Sequence, residues 1–117
     1  MNRPSHQPPE AFCLFCRKKI AKPAKNTLRP LSDFPSGQCD CGAVYVSDLT
    51  GKNGGEAMID ALATACDNDE ARAFSLEEGK DYAMKVVGYD ARTHSVTKRG
   101  HYKDGKARLY FIKLAAV

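Results

Sequence analysis

Cys13-Leu14-Phe15-Cys16 and Cys39-Asp40-Cys41-Gly42 are the stretches on which the reading of this chain turns. Two tight cysteine pairs separated by a loop form the pattern of a four-thiolate metal site. A short turn lets two thiolates point inward while backbone amides point at the sulfurs, and two such turns together supply tetrahedral Zn–S bonds of about 2.3 Å. The 22 residues between the pairs, Arg17 to Gln38, match the span expected between the halves of such a site. The expected ligands are therefore Cys13, Cys16, Cys39 and Cys41, and the expected ion is Zn2+. Four thiolates around that ion leave a net charge of about −2, which Arg17, Lys18 and Lys19 beside the first pair would offset. Gly42 suits a turn that needs a left-handed residue. With few apolar residues in this segment, metal binding is expected to supply much of its folding free energy, on the order of 10 kcal/mol.

Composition bounds the rest. The 117 residues amount to one domain's worth of chain, with 43% apolar and 27% charged residues, ordinary for a soluble globular protein. No apolar run approaches the roughly 20 residues of a membrane-spanning helix, and Met1 to Glu10 lacks the apolar core of a secretion signal. The expected address is the cytoplasm, where closely paired cysteines serve as metal ligands or redox groups more often than as structural disulfides. The net charge of +4 is unevenly spread. Residues 10–31 and 92–113 are basic and residues 56–81 acidic, an order compatible with a cationic face, with lobes that attract each other, or with a solvated mixture.

The expected fold class is α+β: a small zinc module on short hairpins packed with a lobe of one or two helices and a small antiparallel sheet. The expected boundaries are a disordered tail over 1–10, the cysteine module over 11–55 and the second lobe over 56–117. Ala43 to Val46 has strand character. From Glu56 the period turns helical, with Ile59, Leu62, Ala63 and Cys66 on one face, and Asn53 with Glu56 resembles a capping box. Asp67 or Asp69 is expected to cap a short second helix over 70–74. Tyr82 to Tyr89 reads either as a strand, with Tyr82, Met84 and Val86 alternating, or as a continuing helix, and the strand is preferred; 94–97 and 108–114 also read as strands, with a hairpin turn at Asp104-Gly105. The second lobe's interior is expected from Ile59, Leu62, Phe74, Val86, Leu109, Phe111 and Ile112.

With its cysteine turns, the segment 11–48 resembles the zinc-ribbon superfamily, and Cys41 to Gly51 is similar to a group of uncharacterised bacterial zinc-ribbon proteins. The resemblance implies two zinc knuckles on adjoining hairpins with the four cysteines as ligands. The likeness to the bacterial group implies no activity. One departure stands out: the second knuckle has only Asp40 between its cysteines, where the family has two residues. That also counts against a rubredoxin-like iron site, which has two matching knuckles.

Other candidates have plainer readings beside them. Cys66 sits on an apolar stripe as a core cysteine, and His94 and His101 read as exposed histidines among cations. His6 lies in the tail. Glu56, Asp60 and Asp67 read as helix-surface carboxylates, and nothing pairs them as a general acid and base. Gly54-Gly55 before a helix lacks phosphate-loop spacing. Three functional classes follow. The first is a non-enzymatic binding or adaptor module for a protein partner. The second is a nucleic-acid binder using Arg17, Lys18, Lys19, Lys98, Arg99 and Lys103, with Phe15, Phe34 or Tyr102 stacking on bases. The third is a redox or electron-transfer protein using Cys13 and Cys16.

Overall fold

The β-branched and aromatic segments pair into one antiparallel sheet. A computed structural model describes residues 10–97 and 107–115. The elements are β1 (Ser36–Gln38), β2 (Val44–Asp48), α1 (Gly54–Ala65), α2 (Glu70–Phe74), β3 (Tyr82–Asp90), β4 (Ser95–Thr97) and β5 (Arg108–Leu114). The sheet order is β1-β2-β5-β3-β4 with every pair antiparallel, so the fold is α+β. The last strand sits at the centre of the sheet, with Val44 opposite Ile112 on one side and Met84 opposite Ile112 on the other. Among the described residues no helix is long and apolar enough to cross a membrane.

Alternation along the strands builds two cores, one on each face of the sheet. Tyr45, Val87, Tyr89, Leu109 and Phe111 face the first cysteine hairpin and pack with Ala11, Cys13, Ile20 and Cys39. The Tyr45 and Phe111 rings meet at 5.5 Å. Val46, Tyr82, Tyr110 and Ile112 face the other way, under Ala57, Ala61 and Leu62 of α1 and Ala73 of α2, with Met84 and Val86 partly buried beside them. The alternation of Tyr82, Met84 and Val86 is thus a real strand face. Both helices lie on one side of the sheet and the cysteine module on the other.

Several expectations are corrected. Asn53 precedes α1 but makes no side-chain cap bond, and the helix starts at Gly54. The loop is organised instead by the buried Asp48 carboxylate, which accepts from the Thr50 amide at 3.2 Å, the Thr50 hydroxyl at 3.0 Å, the Gly51 amide at 3.2 Å and the Asn53 amide at 2.8 Å. Leu62, Ala63 and Cys66 are buried, but Ile59 is 39% exposed. Asp60, read as a surface carboxylate, is only 5% exposed, because Arg29 and Ser32 reach across from the preceding loop to bond it. Phe74 is 65% exposed: α2 has only five residues, and Ala73 is its buried member. The short second helix is capped by Asp69, which accepts from the Arg72 amide at 3.0 Å. The tail to residue 9, His6, Lys98, Arg99, His101, Tyr102, Lys103 and the Asp104-Gly105 turn lie outside the described residues.

Candidate metal centre

Each cysteine pair occupies the tip of a hairpin, held open by backbone bonds. In the first, Cys13 N–H donates to Lys18 O at 2.8 Å and Arg17 N–H to Cys13 O at 2.9 Å, with a bridge between Phe12 and Lys19 behind them. In the second, which is the β1–β2 connection, Cys39 N–H donates to Ala43 O at 2.8 Å and Gly42 N–H to Cys39 O at 2.9 Å. The two tips share one plan, closed over four residues instead of five in the second. The single residue between Cys39 and Cys41 is absorbed by this tighter turn, and both sulfurs still face the first hairpin. The residue after each second cysteine is left-handed, Arg17 at φ 71° and Gly42 at φ 98°.

The four Sγ atoms all lie within 4.8 Å of one another. Cys13 Sγ is 3.7 Å from Cys41 Sγ and Cys16 Sγ is 3.4 Å from Cys39 Sγ, each contact crossing from one hairpin to the other. All the cysteines are free. A tetrahedron with metal–sulfur bonds of about 2.3 Å has edges of about 3.8 Å, so this all-sulfur donor set fits one metal ion. Phe15 N–H points at Cys13 Sγ at 3.4 Å, a bond that stabilises a thiolate. Burial pushes the Cys39 thiol up to about 12 and also raises Cys13. Cys16 is drawn down to about 7, first by the Lys18 amide and then by bonds from the other three thiols.

The hairpins are seated on the sheet at fixed points. Ala11 N–H donates to His94 O at 2.9 Å, and His94 Nε2 lies 2.7 Å from Ile20 O while its Nδ1 lies 2.7 Å from the Tyr89 hydroxyl. His94, expected to be exposed among cations, is instead a half-buried brace, because strand pairing folds its turn against the cysteine hairpin. Tyr45 donates its hydroxyl to Ala21 O at 2.7 Å, and Lys85 Nζ donates to Leu14 O at 3.3 Å.

The predicted surface residues divide. Arg17 and Lys18 are exposed beside the knuckle, Arg17 lying 5.8 Å from the Phe12 ring centroid, while Lys19 pairs with Glu10 at 3.4 Å. Phe15 is half-buried at the tip with Lys85 Nζ 5.0 Å from its centroid, whereas Phe34 packs against the helix-side core. Cys66 is buried in that same core, away from the four-sulfur group, and burial raises its pKa. Lys85 and Lys113 were not singled out by sequence reasoning. Their signal was strand alternation, which puts Lys85 on the face of Val87 and Lys113 on that of Phe111. No family model, curated protein or solved structure matches the chain.

Proposed function

We propose that this chain is a zinc protein in which Cys13, Cys16, Cys39 and Cys41 hold the ion structurally, and that it acts by binding a partner rather than by catalysis. The observation that carries the reading is the four-sulfur group with its contacts crossing between hairpins. Zinc fits because a closed all-thiolate set leaves no open position for substrate, and because a one-residue and a two-residue knuckle differ from a matched iron pair. Bound there, the ion would supply structural cross-linking. The residues of this chain do the rest: amides at Phe15 and Lys18 orient sulfur, and Tyr45, His94 and Lys85 fix the hairpin to the sheet. A cytoplasmic, reducing setting would keep the thiols available for metal.

The partner is a protein. This reading is supported by the loop before β1, where Leu31 is 96% exposed although its neighbour Arg29 is tied down by Asp60, Glu70 and Asn68. A leucine presented on an anchored loop loses little further freedom on docking. Native mass spectrometry with elemental analysis, on protein purified without added metal, tests the metal reading. One zinc per chain, with the four cysteines protected from alkylation until chelation, is expected. Iron, or a metal-free folded protein with a Cys13–Cys16 disulfide, overturns it.

A further inference from the structure

We infer that the face opposite the helices binds single-stranded nucleic acid in the groove between the first knuckle and the β3–β5 sheet. This goes beyond the protein-partner reading and uses a surface other than the Leu31 loop. The groove has a volume of about 260 Å3, and its walls include Phe15 from the knuckle and Ala83 and Lys113 from the knuckle face of the sheet, together with Tyr82 and Leu114, which also pack with the helix-side core. Lys113 lies directly opposite Ala83, and Lys85 opposite Phe111, so both lysines project toward the knuckle side where Phe111 packs.

Lys85 and Lys113 carry charge on this face without a paired carboxylate among the described residues. Among the described residues, Arg17, Lys18, Lys85 and Lys113 have no carboxylate within ion-pair distance. On the helix face, Arg29 is held by both Asp60 at 2.6 Å and Glu70 at 3.0 Å. Lys113 lines the groove and Lys85 stands over the ring of Phe15, while Lys80 at the far lip is partly offset by Glu77 at 3.9 Å, so the inference rests on Lys113 and Lys85. Cations that face water without counter-charges beside a groove are the footprint of a polyanion.

The aromatic groups select the kind of polyanion. Phe15 lines the groove, and Lys85 is fixed over its ring at 5.0 Å from the centroid while bonded to Leu14 O. An aromatic ring with two lysines at one groove suits bases stacked on the ring with phosphates on the lysines, as single strands allow and paired bases do not. Both helices pack on the far side of the sheet, so this face offers no helix to a duplex major groove. The ligand is therefore a single-stranded phosphodiester chain, RNA or DNA.

The test is fluorescence anisotropy with labelled oligo(U), oligo(dT) and a duplex of equal length, over a salt series, using metal-loaded protein. Both single strands should bind more tightly than the duplex, and preference between them identifies RNA or DNA as the source. Lys85→Gln retains a donor for Leu14 O, and with Lys113→Gln it should weaken binding, each lowering the log–log salt slope by about 1. Arg72→Gln, on α2, should change neither. Phe15→Leu should weaken binding about tenfold with the slope kept, and Phe15→Tyr should restore it. Metal content is measured on every sample, so failure of the zinc reading is seen separately from loss of the groove. The inference is overturned by absence of saturable binding at low salt, by duplex binding as tight as single-strand binding, by a slope indifferent to both lysines, or by equal displacement with poly-glutamate.

Discussion

Arg17 and Gly42 hold equivalent places in the two knuckles: each follows its second cysteine, and each adopts a left-handed backbone, at φ 71° and 98°. The chain meets the same conformational demand twice, once with glycine and once with arginine. A side chain in this region costs roughly 1–2 kcal/mol. At Gly42 an added Cβ would meet nothing within 4 Å, so the penalty there is purely conformational. Gly42→Ala should therefore destabilise the metal-loaded protein by about 1 kcal/mol, and Arg17→Gly should not destabilise it. Thermal melts and competition with a zinc chelator, run on both variants, check the pair.

Arg29 and Asp60 form a largely buried ion pair, and removing either partner should destabilise the fold. Asp60→Ala leaves the guanidinium with only exposed Glu70 and with Asn68, and removes the acceptor for Ser32. Arg29 keeps some access to water, so a loss of about 2–3 kcal/mol is expected, below the full range for buried pairs. Arg29→Met combined with Asp60→Leu should recover much of it. Urea unfolding of the two single variants and the double variant gives the coupling directly, and additive losses would contradict this account.

His94 joins β3, through Tyr89, to the cysteine hairpin, through Ile20. His94→Leu leaves the Ile20 carbonyl without this donor, at an expected cost of about 1–3 kcal/mol. The effect should be localised. Hydrogen exchange at Ala11 and Ile20 should accelerate more than at the Phe111 amide, and uniform acceleration would mean that His94 serves the whole fold.

Metal removal separates the two sides of the sheet. Chelation should release the hairpins over 11–20 and 39–43 while the helix-side core of Val46, Leu62 and Ile112 persists, since that core contains no ligand. Circular dichroism should retain its helical signal while alkylation reaches Cys13 and Cys16. Loss of all structure on chelation would show instead that the ion holds both faces.

Proton release gives the pH dependence. Burial raises Cys39 to about 12 and raises Cys13, so these thiols retain protons at neutral pH in the metal-free protein. Metal must displace those protons, and its affinity must fall as pH falls. Chelator competition across neutral to mildly acidic pH should show that decline, with protons appearing in a pH indicator on metal addition. An affinity that is flat over this range would contradict thiolate ligation.

The cysteine turns, the strand character of β2 and β5, the alternation along β3 and the cap of α2, narrowed to Asp67 or Asp69, were legible because each depends on residues within one turn or one strand. The four cysteines that converge were named from spacing alone, since a knuckle is a local object. Other features depended on where the chain returns. Asp60 became a buried partner because the loop carrying Arg29 and Ser32 bonds it across α1. His94 became a brace because β3 and β4 fold its turn onto the hairpin. Lys85 and Lys113 share a face with Phe15 only because β5 inserts between β2 and β3 and lays the knuckle over the sheet. Local periodicity specifies which side of a strand a residue takes. Which other side of the molecule meets it is set by the packing of segments distant in sequence, and that the tertiary structure alone decided.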